Sequence, residues 1–125
     1  MPPMRWLLYG NLNPAVGEAL HRHEHETKTP ADIGLAPEAA ALDVVKSAHK
    51  SQLDIITPDP SIAQALFESK WSFDRSIVFL QLEGGEVEQD DAIDRLFARY
   101  KRLTPGRLYT VTESRVKVRQ LPNQG

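Results

Sequence analysis

The 125-residue sequence predicts a three-layer α/β/α fold with a mainly parallel central sheet and a C-terminal β-hairpin. Three observations carry this expectation. Short apolar runs alternate with stretches whose apolar residues recur at helical spacing. Strands separated by helices imply crossover connections, hence parallel pairing with both sheet faces covered. The tail instead holds two alternating runs, Leu108 to Thr112 and Arg115 to Leu121, joined at Glu113-Ser114, which reads as a hairpin at the sheet edge.

Taken in order, Trp6-Leu7-Leu8 is a short buried strand closed by Gly10 and Asn13. Pro14 at a first helical position, with Val16, Ala19 and Leu20 on one face, predicts a helix to about His23. A polar strand around Glu26 to Lys28 follows. The loop from Pro30 to Pro37 leads to a second helix with Ala41, Val44, Val45 and Ala48 inward. Leu53 to Thr57 is the next strand, stopped by Pro58 and Pro60, and a helix from about Ser61 points Ile62, Ala65 and Leu66 inward. Ser76 to Leu82 is the most apolar strand, broken at Gly84-Gly85. Ile93, Leu96, Phe97 and Tyr100 then mark an amphipathic helix. No repeat or long composition break divides the chain, so residues 1–125 read as a single domain, large enough for one core without staples.

Composition narrows the chemistry. The chain has no cysteine, which excludes a disulfide scaffold, a thiolate metal site and a cysteine nucleophile, and agrees with a reducing compartment, so the expected location is cytoplasmic. The opening apolar run is too short for a signal segment, and no run approaches the roughly 20 residues of a membrane span. The formal net charge of -2 hides an asymmetry. Glu83, Glu86, Glu88, Asp90, Asp91 and Asp94 crowd one stretch, while Arg99, Lys101, Arg102, Arg107, Arg115, Lys117 and Arg119 crowd the end. Such a basic cluster can attract phosphate backbones, although an acidic helix start and basic helix end also suit the helix dipole.

In an open parallel sheet the functional crevice lies at the carboxyl ends of the strands. The residues falling there are Tyr9-Gly10-Asn11, Thr29 to Asp32, and Thr57-Pro58-Asp59. Asp59, beside the Thr57 hydroxyl and braced by two prolines, suits Mg²⁺ or Mn²⁺, which want oxygen ligands on rigid supports. The same position equally suits a turn or cap for the next helix. Glu38 and Asp43 belong to the expected second helix. Glu38 in a first turn favours the dipole, and Asp43 lies near Lys46 at surface-pair spacing. His21, His23 and His25 alternate, which sends neighbours of the set to different helix faces and argues against a metal site. No phosphate-binding glycine loop and no nucleophile elbow is present.

The opening from Met4 to Pro14, with Trp6-Leu7-Leu8 running into Tyr9-Gly10-Asn11-Leu12, resembles the start of small stand-alone bacterial PIN-like proteins, where the strand runs into Asp-Glu-Asn-Leu. His25-Glu26 is similar to that family's Gly-His-Asp before its second strand, and Asp32-Ile33-Gly34-Leu35 to the loop after it. Ile55-Ile56-Thr57-Pro58-Asp59 is similar to its Leu-Val-Thr-x-Asp signature, and Gly106-Arg107-Leu108 with Val116 to Pro122 resembles its tail. The resemblance covers nearly the whole chain and implies a PIN-like fold. It further implies metal-dependent ribonuclease activity of the toxin type, with strand-end acids holding Mg²⁺ or Mn²⁺ to activate water.

The departures fall on those acids. Tyr9 and Gly10 stand at the first two acidic positions, Ala41 at the acid on the second helix, and Ser61 at the acid two residues after Asp59. Asn11 and Asp59 match the pattern, and Glu38 lies one turn before Ala41. The resemblance therefore implies a catalytically degenerate nuclease fold that binds RNA, a protein partner or a second copy of itself. Its cofactor would be none, or Mg²⁺ or Mn²⁺ held weakly. The alternative is a weak metal-dependent ribonuclease that uses Asp59 and Asn11, with Glu38, Asp43 or Asp32 recruited from loops. A minor alternative is a receiver-like domain phosphorylated on Asp59. Tyr9 is expected to fill the former metal cavity and to satisfy Asp59 with its hydroxyl.

Overall fold

The structure is a computed structural model describing residues 4–36, 38–82, 85–100 and 103–122. Its elements are β1 (Arg5–Leu8), α1 (Pro14–Arg22), β2 (Glu26–Lys28), a 3-10 turn (Ala31–Ile33), α2 (Ala41–Lys50), β3 (Asp54–Thr57), α3 (Ser61–Ser69), β4 (Ile77–Leu80), α4 (Glu86–Arg99), β5 (Arg107–Val111) and β6 (Val116–Gln120). Helix starts and stops follow local chemistry. The Asn13 side chain accepts the Ala15 N–H at 2.9 Å ahead of Pro14, which opens α1, and Lys70 in the left-handed region closes α3. One expectation fails here. Glu38 lies in a turn before α2 rather than in its first turn, because the helix starts only at Ala41 after Ala40 in an extended conformation. Glu83, Gly84, Lys101 and Arg102, which the sequence places in the strand break and the charge clusters, lie outside the described residues.

All six strands form one sheet in the order β2-β1-β3-β4-β5-β6. Pairing is parallel from β2 through β5, and β6 returns antiparallel to β5. This is the expected mainly parallel sheet with a C-terminal hairpin. Every residue of β3 is buried, as a central strand covered on both faces requires, whereas edge strand β2 is polar and three residues long.

Strand side chains alternate between two cores. Trp6, Ile56, Val78, Tyr109 and Val111 pack with α1 and α4 on one face. Leu7, Ile55, Ile77 and Leu108 pack with α2 and α3 on the other. This layering fixes an unusual connection. In the strand order as written, α1 carries the chain leftward from β1 to β2, and α4 carries it rightward from β4 to β5, on the same face of one parallel sheet. Those two crossovers therefore have opposite hands. The α2 and α3 crossovers run rightward on the opposite face and share the hand of α1. Since crossovers are right-handed in about 98% of cases, the odd connection, β4-α4-β5, is the left-handed one.

Asp54 ties the amino ends of two central strands together. Its buried carboxylate accepts the Ser76 N–H and the Ser76 hydroxyl, each at 2.8 Å, and a guanidinium N–H of Arg75 at 3.2 Å. A buried charge is tolerable because three hydrogen bonds, one of them from a cation, replace most of what it has lost to water. Sequence reading treated Asp54 only as part of a strand run.

Candidate functional site

The chain leaves β1 for one face and β3 for the other, so the crevice expected of such sheets opens between the carboxyl ends of these adjacent strands. On the β1 side, the Tyr9 N–H extends the ladder to the Ile56 carbonyl at 3.1 Å, and the Tyr9 side chain is partly buried against the α2 and α3 core. The chain then turns at Gly10, where φ is +90. A Cβ at this position would meet the Thr57 hydroxyl oxygen at 3.3 Å and Pro58 Cδ at 3.4 Å. Asn11 is exposed, and the Asn13 N–H is held by the Gln89 side chain of α4 at 3.1 Å.

On the β3 side, the Thr57 hydroxyl accepts the Asp59 N–H at 3.0 Å, and the Asp59 carboxylate accepts the Ser61 N–H at 2.9 Å. Asp59 thus braces the first residue of α3, where a negative charge also suits the helix dipole. Past β2, which β1 separates from β3, Asp32 and Thr29 form a reciprocal pair. The carboxylate accepts the Thr29 N–H at 2.8 Å, and the Thr29 hydroxyl accepts the Asp32 N–H at 3.3 Å. The Thr29 backbone N–H, then its hydroxyl, hold the Asp32 carboxyl below its ordinary pKa. Both acids at this edge close local turns.

The other candidates stand apart from a metal-binding set. Glu38 and Asp43 are exposed, on the turn before α2 and in its first turn. Among the described residues no group of three His, Asp or Glu side chains is placed to hold a metal ion. The available donors therefore do not fit a resident divalent cation, for which one turn-bound carboxylate is too little. The Tyr9 hydroxyl forms no hydrogen bond with Asp59, whose bond goes to Ser61, so the expected pairing of these two side chains is corrected. The positive φ of Gly10 was the feature that sequence reasoning missed. A glycine followed by asparagine directly after a strand was the available signal.

The three histidines take three separate partners. His21 Nε2 meets the Thr27 hydroxyl at 3.0 Å and His23 Nε2 meets Asp94 at 2.9 Å. His25 Nδ1 accepts the Trp6 indole N–H at 3.1 Å. His25 also lies on Phe97 of α4, with ring centroids 4.6 Å apart. Its pKa is lowered by burial, and further by repulsion from His23, against a weaker opposing pull from Asp54. His23, then Arg22, hold the Asp94 carboxyl below its ordinary range.

A separate cavity of about 400 Å³ lies at the opposite end of the sheet, lined by Phe73, Asp74, Gly106, Arg107, Gln120 and Leu121 among others. Among the described residues no helix is long and apolar enough to cross a membrane. No protein-family model, curated protein or solved structure matches the chain.

Proposed function

We propose that this chain is a PIN-like scaffold that has given up metal-dependent phosphodiester hydrolysis and acts by binding. The observation that carries the reading is the use to which Asp59 is put. The carboxylate best placed for a cation is bonded to the Ser61 N–H and braces α3. The loop across the crevice supports the same reading. Tyr9 and Gly10 occupy the positions where the resemblance implies acids, and the backbone at Gly10 disfavours any side chain. Neutralising the charge that develops on a phosphate needs a cation held by several ligands, and this edge offers turn-forming groups instead.

Calorimetric titration of Mn²⁺ into wild type and Asp59→Ala, followed by incubation with a mixed RNA pool, tests the proposal. The expected result is no saturable heat in either protein and no metal-dependent cleavage. Binding tighter than about millimolar, which corresponds to about -4 kcal/mol, that disappears in Asp59→Ala would restore the ribonuclease reading.

The order β2-β1-β3-β4-β5 is also that of the flavodoxin-like doubly wound sheet, which favours a second reading with Asp59 as a receiver-type phosphoacceptor. Against it stand the missing acid pair after β1, the placement of α4 on the α1 face and the antiparallel β6. Acetyl phosphate labelling that is lost in Asp59→Ala would support this reading.

A further inference from the structure

Among the described residues the outer edge of β6 is the longer of the two open edges of the sheet, and the backbone groups that face out of it can be assigned. In an antiparallel ladder, residues whose N–H and C=O face the partner alternate with residues whose groups face away. The Thr112 N–H donates to the Arg115 carbonyl, and the Leu121 N–H donates to the Gly106 carbonyl, each at 2.9 Å. With the register Leu108↔Arg119 and Thr110↔Lys117, the inward set is Arg115, Lys117, Arg119 and Leu121. The amides and carbonyls of Val116, Val118 and Gln120 therefore point out of the sheet, in the pattern that an added strand would complete.

The side chains along this edge are basic. Lys117 and Arg119 project from the α3 face of β6, Arg115 precedes it, and Arg107 lies on the neighbouring strand. None of the four forms an ion pair among the described residues, and Glu113 in the turn is the sole acid between 107 and 120. On the other face Val118 is 39% exposed, one of only two exposed large apolar side chains among the described residues. Arg119 is held in place, its guanidinium 4.2 Å from the centre of the Phe67 ring on α3.

We propose that β6 is a docking edge for an extended acidic peptide segment of another protein, which adds to the sheet as a seventh strand. Backbone hydrogen bonds to Val116, Val118 and Gln120 would supply affinity, and Arg115, Lys117 and Arg119 would select for acidic side chains. A second copy of this chain fits poorly, because pairing β6 with β6 brings like charges across from one another. Single-stranded RNA fits less well than a peptide. Its recognition relies on aromatic stacking platforms, yet among the described residues no Phe, Tyr or Trp side chain is exposed, and Phe67 is covered by Arg119. The edge lies two strands beyond β4, away from the β1 and β3 crevice, so the inference is independent of whether the crevice binds metal.

Fluorescence anisotropy on the full chain, with an end-blocked heptapeptide alternating glutamate and valine as probe, tests it. The decisive variant is Val118→Pro. The Val118 N–H faces outward, so proline removes an edge donor without removing a bond to β5 and is tolerated at a sheet edge. We expect saturable binding that falls at least about tenfold in Val118→Pro and in Arg115→Glu/Lys117→Glu, and equally with a probe N-methylated at alternate amides. No saturable binding, or binding unchanged by Val118→Pro or by N-methylation, would overturn the proposal. So would a single-stranded RNA of equal charge binding as tightly as the peptide, independently of Val118→Pro.

Discussion

Gly10 decides what the crevice can hold. A side chain here would sit in the left-handed backbone region and press on Thr57, so an acid at this position strains the loop conformation. Gly10→Asp, which restores the residue type expected from the resemblance, should lower stability by about 1–2 kcal/mol in urea unfolding and create no Mn²⁺ site. An undiminished midpoint together with new Mn²⁺ binding would show that the loop had only been waiting for its acid. Asp59 was legible at this scale in both of its roles, since a carboxylate between a strand and a helix serves equally as ligand or brace. Hydrogen-bond geometry separates the two. Asp54 was illegible, because nothing in Leu53 to Thr57 announces that Arg75 and Ser76, just before the next strand, arrive beside it.

At the scale of elements, alternation of strands and helices was readable because each apolar run had the period of its own structure. Most boundaries fell within a residue or two. Glu38 was misplaced because helical spacing from Ala41 onward says nothing of where the preceding turn ends. The hand of α4 was also invisible. Its apolar stripe of Ala92, Ile93, Leu96 and Phe97 would suit either face, and what selects the α1 face is coverage. Without α4, the side of the sheet bearing Val78, Leu80, Tyr109 and Val111 would have only α1 as a lid, while α2 and α3 already cover the other.

The short strand β2 depends on neighbours that titrate. His25 accepts a hydrogen bond from Trp6, which requires Nδ1 free of a proton, and its ring packs on Phe97. The folded state lowers the pKa of His25, so at mildly acidic pH the unfolded chain binds the extra proton more readily. Stability contributed by His25 is complete above the unfolded histidine value near 6.5 and is lost as pH falls below it. Unfolding midpoints measured between pH 7.5 and 5 should fall over that window, as the pKa shift requires, and His25→Gln should flatten the trend. A His25→Gln profile as steep as wild type would assign the effect elsewhere.

Across the whole molecule, charge and topology place binding and support at different edges. Asp90 and Asp94 of α4 face the α1 side, where Arg22 bridges Asp90 at 2.6 Å and Asp94 at 3.1 Å, while Arg107, Arg115, Lys117 and Arg119, none in an ion pair among the described residues, lie on or beside the β5 and β6 ribbon. The sequence announced this asymmetry but not its placement, since the position of the acidic helix and the basic ribbon depends on the sheet order. The crevice lies at the carboxyl ends of β1 and β3, and the Asp32 and Asp59 carboxylates at the carboxyl ends of the sheet each hold a local turn. Thermal unfolding of wild type, Asp59→Asn and Asp59→Ala, with and without millimolar Mn²⁺, tests this most directly. If Asp59 braces α3, Asp59→Asn keeps the bond to Ser61 and melts near wild type, Asp59→Ala loses about 1 kcal/mol, and Mn²⁺ shifts none of the three. If Mn²⁺ raises the midpoint of wild type alone, Asp59 is a ligand and the account is wrong.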